Sequence, residues 1–462
     1  MELKARNKAA FGFGAFGKDV VYMLVTTYLL FYYHDILGMS STFVGTVLMA
    51  ARVFDAVNDP FMGILVAKTK TRWGRFRPWI LTGTILNAFT IYALFAVPKN
   101  MSMGNAKVWL AVFYIIWGIS YTLMDIPFWS MVPAITKPGK DREQLSSLAR
   151  SCSGIGDAVP TVLTMVVVPI LSGSSAVANY NIGFKWWALI IAIVFVISEV
   201  VFCLNVPEKV PEDTEVTTIG QMFKSLFRND QALVVVGAII CVYMALDIVG
   251  NLLLYFFQAD VGNEGLYSIF VGVCFAVQVV TMMLIPGIRK KIGKFSLFRL
   301  GILSQAAGFI ILLIIAYTGI YEKTSWVILC IPGMIVYVGY GVLNVMLTIF
   351  LSDSVDYGEY KNGTREESVI FSMQTFTVKL AAGVAVFVSG LGLDIIKFNT
   401  EKLENGNLVP QSESTLAGLR VLMTIPPVIF LIAAFIIFVK FYKLDDNKMK
   451  EITAKLESKK SE

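Results

Sequence analysis

Apolar runs of about 20 residues, each long enough to cross the hydrocarbon core of a bilayer, recur along nearly the whole chain. Short polar segments separate them, and 56% of the 462 residues are hydrophobic whereas only 16% are charged. Soluble domains contain about 25% charged residues, so this pattern predicts an all-α integral membrane protein. Twelve transmembrane helices are expected near residues 10–37, 41–67, 78–98, 107–132, 143–172, 184–206, 232–257, 264–287, 298–318, 325–351, 368–396 and 415–442.

Basic residues are distributed unevenly between the predicted loops. Segments 68–77 and 289–299 each contain five Lys or Arg residues and no acid, whereas 35–41 and 258–263 contain no Lys or Arg. Cytoplasmic loops are the ones enriched in Lys and Arg. Because the number of spans is even and the tail 443–462 is rich in Lys, both termini are expected in the cytoplasm. A multi-pass protein of the bacterial inner membrane is the predicted location.

Two short motifs recur at nearly the same spacing. Residues 72–76 (RWGRF) resemble 291–295 (KIGKF) at an offset of 219, and Arg142-Glu143 recurs as Arg365-Glu366 at an offset of 223. Each offset links a span to the one six later, which predicts two six-helix halves as in the major facilitator transporters, where the substrate binds between the halves near mid-membrane. The predicted divisions are an N-terminal half 1–206, a cytoplasmic linker 207–231, a C-terminal half 232–442 and a cytoplasmic tail 443–462.

Span two carries charged residues, which are rare inside membrane helices. Asp55 and Asp59 are four residues apart and therefore lie on one helical face, with Asn58 beside them. Two carboxylates and an amide supply hard oxygen ligands that suit a small cation. The alternative is a structural carboxylate pair neutralised by Arg52 of the same span. The predicted cation site also includes Thr122, which lies on a polar stripe of span four.

Polar residues also share one helical face in four other spans. Carboxylates and cationic groups hydrogen-bond sugar hydroxyls, and a Trp ring covers the apolar face of a sugar, so this pattern indicates a polyol-binding site. The alternative interpretation of this pattern is a set of salt bridges between helices. For Lys18, which is adjacent to Asp19 in span one, a further alternative is that its side chain extends to the cytoplasmic side. The residues concerned are Asp19, Tyr22 and Thr26 in span one, Gly118, Thr122, Asp125 and Trp129 in span four, Ser147, Arg150, Gly154 and Asp157 in span five, and Ser372, Thr375 and Lys379 in span eleven.

Composition argues against several other functions. The net charge of +6 lies in loops, so a nucleic-acid-binding face is not expected. The five cysteines are scattered singly through apolar runs, a spacing typical of neither disulfides nor a metal site. The sequence contains no Walker motif, so ATP is not expected to be the energy source. No cofactor is expected apart from a coupling cation, and the chain is not expected to be an enzyme.

Four motifs, in the same order, resemble those of the glycoside–pentoside–hexuronide:cation symporters of the major facilitator superfamily. The resemblance covers nearly the whole chain and implies cation-coupled symport of a sugar by alternating access. It implies Na⁺, Li⁺ or H⁺ as the coupling ion and a glycoside such as melibiose or a related galactoside as the substrate. The motifs are Asp55-x-x-Asn58-Asp59-Pro60, Arg72-Trp-Gly-Arg-Phe-Arg-Pro78, Asp125-Ile-Pro-Phe-Trp129 and Asp356-Tyr-Gly-Glu-Tyr360.

The resemblance also implies roles for individual residues. The positions that match the family's cation site are Asp55, Asn58, Asp59 and Thr122. Those that match its sugar site are Asp19, Asp125, Trp129, Arg150 and Lys379, with Lys18, Gln374 and Thr375 nearby, and Tyr121 and Asn344 are added to the predicted sugar-site set. Melibiose-transporting members carry a tryptophan where this chain has Asn344, so we expect a preference for a different glycoside or for several, with neighbouring Tyr340 contributing.

The expected partners are the sugar, a monovalent cation and the lipid bilayer; the functional unit is expected to be a monomer, and nucleic acid is not an expected partner. One alternative is a proton-only symporter of another glycoside or of a hexuronide, with Asp55 and Asp59 as the proton carriers. The other is a sensor that binds sugar without transporting it. A sensor would need an appended signalling domain, and the tail 443–462 is too short to be one.

Overall fold

The computed structural model is helical, and it describes residues 4–98, 100–174, 179–208, 224, 227–263, 265–399 and 409–461. Most of the predicted linker 207–231 lies outside the described residues, as does the side chain of Arg52. The helices are α1 (Ala5–Phe31), α2 (Ser41–Ala67), α3 (Arg77–Phe95), α4 (Met103–Ile135), α5 (Lys140–Ser172), α6 (Tyr180–Asn205), α7 (Asp230–Ala259), α8 (Gly265–Arg289), α9 (Lys294–Thr318), α10 (Cys330–Asn362), α11 (Glu367–Ile395), α12 (Glu413–Phe441) and α13 (Asp446–Ser461). A π-helical turn (Tyr32–Ile36) follows α1, and two short helices (Ile320–Lys323 and Trp326–Leu329) precede α10.

Ten helices in the described part of the chain, α3 to α12, are long and apolar enough to cross a membrane. The other two long helices, α1 and α2, have 27 residues each and contain the charged residues Lys18, Asp19, Asp55 and Asp59. A helix satisfies its own backbone hydrogen bonds, which a membrane span requires because lipid offers no partners. The predicted all-α architecture with twelve spans is confirmed.

Several helices extend beyond the predicted spans. α10 continues to Asn362 rather than ending near residue 351, and α5 begins at Lys140 rather than near residue 143. The hydropathy pattern marks only the part of a helix that crosses the membrane. α10 ends where Gly363 adopts a φ of +75°, and the Gly363 N–H donates to the Glu359 carbonyl, an end set by backbone geometry rather than by polarity.

The chain forms two compact units. Unit 1 contains Met1–Arg228, Val355–Phe376 and Lys455–Glu462, and unit 2 contains Asn229–Ser354 and Thr377–Ala454. The segment 355–376, which comprises the end of α10 and the start of α11, therefore belongs to unit 1. The boundaries predicted for the two halves differ from these units and stay a prediction.

In unit 1, α1 packs against α5 and α6, α3 packs against α4 and α6, and α2 packs against α4. Phe11, Phe128 and Phe202 fill the space between α1, α4 and α6, with ring centroids 4.7, 4.8 and 5.1 Å apart. Aromatic pairs at these separations add about 0.5–1.5 kcal/mol each to the stabilisation that comes from burial. This cluster joins α1 to α4 seven residues before Lys18, whose ammonium contacts Asp125 of α4.

A buried ionic cluster closes one end of unit 1. The guanidinium of Arg142 is fully buried and lies 2.7 Å from Asp356 Oδ2, while Arg365 pairs with Oδ1 of the same carboxylate, also at 2.7 Å. Arg365 further contacts Glu359 at 2.6 Å and Glu367 at 2.5 Å. The two arginines of the repeated Arg-Glu motif thus share one acid, which is the first residue of the motif 356–360.

In unit 2, α12 packs against α7 and α9. Phe298, Phe350, Phe438 and Tyr442 form an aromatic core, in which the Phe298 and Phe438 centroids are 4.0 Å apart. The basic motif that begins at Lys291 lies beside it: the Lys294 ammonium is buried and lies 2.8 Å from Asp353 Oδ2.

Candidate functional site

The predicted cation ligands come from α2 and α4. Asp59 is fully buried, Asp55 is nearly so, and Asn58 is half-buried between them. The Thr122 hydroxyl on α4 donates a hydrogen bond of 3.0 Å to Asp59 Oδ1. One turn earlier on α4, Gly118 faces Asp55, and any side chain at Gly118 would overlap the carboxylate. The glycine therefore lets α4 approach α2 closely enough for both aspartates to face it.

This arrangement brings two carboxylates, a hydroxyl and an adjacent amide into one buried region. Such oxygen donors suit a hard monovalent cation or a proton. Among the described residues, no group of three or more His, Cys, Asp or Glu side chains is placed to hold a metal ion. The predicted site has two carboxylates together with neutral oxygen groups, and its role stays a prediction.

The predicted sugar site centres on Lys18, which is only 2% exposed. Its ammonium lies 2.6 Å from Asp19 Oδ1 and 2.8 Å from Asp125 Oδ1. The Tyr121 hydroxyl donates to Asp19 Oδ1 at 3.0 Å. We call Lys18, Asp19 and Asp125 the lysine triad. Lys18 is therefore buried within this triad. Its side chain does not extend to the cytoplasmic side, which was the alternative.

Trp129 lies beside the lysine triad as the predicted apolar surface. The Arg150 guanidinium carbon is 3.8 Å from the centroid of the Trp129 ring, and the Lys18 ammonium is 5.1 Å from the same centroid. Both distances fit cation–π contacts. Unit 1 therefore groups the five predicted residues Lys18, Asp19, Asp125, Trp129 and Arg150, which combine acceptors, cations and a flat ring as sugar recognition requires.

The structure adds Ser153, which the predicted set did not include, and brings Asp157 of span five into the same group of side chains. Ser153 donates a short hydrogen bond to Asp19 Oδ2, and Asp157 interacts electrostatically with Asp19, Lys18 and Arg150. Asp157 lies on the polar face of span five, and Ser153 lies three residues from Arg150 near that face. The helical periodicity therefore contained a signal for Ser153, although serine is common in membrane helices for packing alone.

The remaining predicted sugar-site residues lie on α10 and α11. Gln374 is buried in α11 within unit 1, and Thr375 bonds to the Phe371 carbonyl of its own helix at 3.2 Å. Lys379 is half-buried, and it belongs to unit 2, as does Asn344.

Asn344 takes part in a polar group on α7 and α10. The side chains of Asn344 and Tyr243 interact with the Tyr340 hydroxyl, and the Tyr243 and Tyr340 rings meet edge to face with centroids 6.1 Å apart. Asn344 is 9% exposed, and its Oδ1 atom has no hydrogen-bond partner in the described part of the chain. The amide therefore keeps one acceptor for a further donor.

Comparisons with known proteins show the family to which the chain belongs. Residues 10–446 match the family described as "MFS/sugar transport protein". An isoprimeverose transporter of Lactiplantibacillus pentosus is 29% identical over 83% of this chain and 79% of its own length. A lactose permease of Lactobacillus delbrueckii subsp. bulgaricus is 27% identical over 99% of this chain and 73% of its own length.

A solved structure supports the fold independently. The proton:xylose symporter XylE, bound to 6-bromo-6-deoxy-D-glucose, superposes with a TM-score of 0.65 at 13% identity, over 97% of this chain and 98% of that one. At this identity the likeness concerns the fold alone. The family match over residues 10–446 therefore identifies the chain as a member of the glycoside–pentoside–hexuronide family within the major facilitator superfamily, that is, as a multi-pass membrane sugar symporter and not an enzyme.

Proposed function

We propose that this protein carries a glycoside, such as melibiose or a related galactoside, across the membrane together with Na⁺, Li⁺ or H⁺ by alternating access. The observation that carries this proposal is the lysine triad beside Trp129. Sugar hydroxyls can donate to Asp19 and Asp125 and accept from Lys18 and Arg150, while the ring stacks on Trp129. Each hydrogen bond between the sugar and these side chains then replaces one that the sugar would otherwise make with water.

The proposed coupling ion binds at Asp55, Asn58, Asp59 and Thr122. Asp55 and Asp59 lie on α2, and Thr122 lies on α4 one turn before Asp125 of the lysine triad. A cation that draws α2 and α4 together therefore acts on the helix that carries two of the sugar ligands. This shared helix is the physical link by which cation binding raises sugar affinity.

Reconstitution in proteoliposomes tests the proposal. Uptake of labelled melibiose, lactose, isoprimeverose and a glucuronide is measured with an inward gradient of Na⁺, Li⁺ or H⁺, or with none. We expect accumulation of at least one glycoside that depends on the Na⁺ or Li⁺ gradient. Accumulation driven only by H⁺ would favour the proton-only alternative with Asp55 and Asp59 as carriers. Binding without accumulation under any gradient would contradict symport and favour the sensor.

We also propose the bacterial inner membrane as the location, with both termini in the cytoplasm. Lys70 and Lys291 are exposed and lie in the two all-basic loops, so Lys70→Cys and Lys291→Cys should react with impermeant thiol reagents only after the cytoplasmic side is opened. The test uses a background whose five native cysteines are replaced. Ser40→Cys, in a loop that lacks Lys and Arg, is the matched control and should react in intact cells. Labelling of either lysine position in intact cells contradicts this orientation.

Asn344 is proposed to help select the sugar. A site that hydrogen-bonds a hydroxyl rejects analogues that lack it more strongly than an apolar wall separates one ring from another. Asn344→Trp replaces the free amide oxygen with a flat ring, so we expect the ratio of affinities to shift by about tenfold towards α-galactosides. Competition binding with galactosides, glucosides and glucuronides measures this shift. An unchanged rank order of the sugars would show that Asn344 serves only contacts between helices.

A further inference from the structure

Glu199 is a buried acid in α6 that the proposed site does not use. It is the only charged residue between Lys185 and Glu208, and its side chain is 0% exposed. Neither carboxylate oxygen has a hydrogen-bond partner within the part of the chain that the structure describes. Membrane helices rarely retain an ionisable group without a role, because its desolvation costs several kcal/mol.

The position of α6 brings Glu199 close to the lysine triad. Its neighbour Ser198 packs directly on Gly17 of α1, where any side chain would overlap the serine hydroxyl. The next residue of α1 is Lys18. The charged groups that act on Glu199 are Lys18 and Asp19 on α1 and Asp125 on α4.

The other elements that pack on α6 add few charges to this region. α5 contributes Asp157, which interacts with Lys18 and Asp19, and Arg150, which interacts with Asp157. α3 contributes Arg77, which acts on Cys203 one turn further along α6. Cys203 itself interacts with Glu199. Among the groups that act on Glu199, Lys18 is the cation that would balance its charge, and it already contacts Asp19 and Asp125.

The charges of the surrounding side chains determine whether the protonated or the ionised form of Glu199 is more stable. The lysine triad holds one positive and two negative groups, so it has no positive charge to spare for a third carboxylate. A buried carboxylate without hydrogen bonds is strongly unfavourable, and such a group avoids the penalty by holding a proton. When Glu199 holds a proton, Lys18 keeps its ion pairs with Asp19 and Asp125.

We propose that Glu199 is a proton-binding site whose occupancy keeps the lysine triad in its sugar-binding arrangement, so that sugar binding is linked to one proton. This site is distinct from Asp55 and Asp59, and Glu199 is a positioning residue that acts through Lys18. Loss of the proton creates a carboxylate that draws Lys18 away from Asp19 and Asp125. Because linkage is reciprocal, sugar binding at a pH where Glu199 has begun to ionise takes up a proton.

Infrared spectroscopy of the full-length protein in lipid nanodiscs tests the proton site without any sugar. We expect a carbonyl stretching band of a protonated carboxylic acid at neutral pH that disappears on titration to alkaline pH and is absent in Glu199→Gln. Glu322→Gln, at an exposed acid, is the control and should keep the band. If Glu199→Gln does not fold, Glu199→Asp should fold and shift the band. The proposal is overturned if the wild type lacks the band, or if the band is unchanged in the Glu199 variants.

Calorimetry with melibiose as the probe tests the linkage, and only this part depends on the proposed function. Titrations in two buffers of different ionisation enthalpy give the affinity and the number of protons taken up. Above the pH at which Glu199 ionises, we expect wild-type affinity to fall by about tenfold per pH unit with uptake of about one proton. Glu199→Gln should show neither effect. If Glu199→Gln keeps both the fall in affinity and the proton uptake, the linkage through Glu199 is wrong. If melibiose does not bind to the wild type, melibiose is not a substrate, and the infrared result alone then tests the proton site.

Discussion

Asp125→Asn is expected to lower the affinity for every transported sugar by about a hundredfold. The Lys18 ammonium lies 2.8 Å from Asp125 and 2.6 Å from Asp19, and all three side chains are buried. An amide in place of the carboxylate removes half of the negative charge around Lys18, and breaking a buried ion pair costs about 3–5 kcal/mol. The variant also removes a charged acceptor for sugar hydroxyls. Both effects apply to any glycoside that binds there.

Equilibrium binding of a panel of glycosides to the purified protein measures this loss. Asp35→Asn is the control, because Asp35 is an exposed acid at the end of span one and should leave affinity unchanged. Na⁺ binding by Asp125→Asn should persist, since Asp125 is not among the proposed cation ligands. Wild-type affinity for any sugar of the panel in the folded variant would mean that the lysine triad is a structural salt bridge, the alternative that its sequence pattern left open.

Contacts within one helix, or between helices with a clear polar stripe, were predictable from the sequence. Asp55 and Asp59 share a face because they are four residues apart, and the stripe on span four supplied Thr122. The hydrogen bond between Thr122 and Asp59 joins residues 63 positions apart, yet only one polar face was available on each helix. The choice of partners was therefore narrow.

Contacts that depend on how several helices pack were not predictable in this way. Lys18 had two possible environments, and only the side-chain contacts between α1 and α4 show that it lies between Asp19 and Asp125. Glu199 was visible as a lone acid in an apolar span, but the groups that act on it lie on other helices, and no periodicity within α6 points to them. Its proximity to Lys18 arises from the close approach of Ser198 to Gly17, which is a tertiary feature.

Asp59→Cys is expected to abolish the stimulation of sugar binding by Na⁺, a factor of about 10–100 in affinity for a coupled site of this kind. Asp59 is fully buried and accepts the Thr122 hydroxyl, so its loss removes a carboxylate ligand and leaves Asp55 with too little negative charge to hold the cation. Sugar binding itself should persist, because Asp19, Asp125 and Arg150 are unchanged. Sugar affinity measured with and without Na⁺ gives the stimulation factor directly.

The control is Asp394→Cys, which removes an exposed acid at the end of α11 and should keep the full effect of Na⁺. In proteoliposomes, the Asp59→Cys variant should exchange labelled sugar across the membrane yet fail to accumulate it against a gradient, since alternating access continues without a driving ion. Full Na⁺ stimulation in this variant would exclude Asp59 as a ligand. Loss of both sugar binding and stimulation in a folded variant would instead mean that Asp59 holds α2 against α4, because the helix that carries Thr122 also carries Asp125 and Trp129.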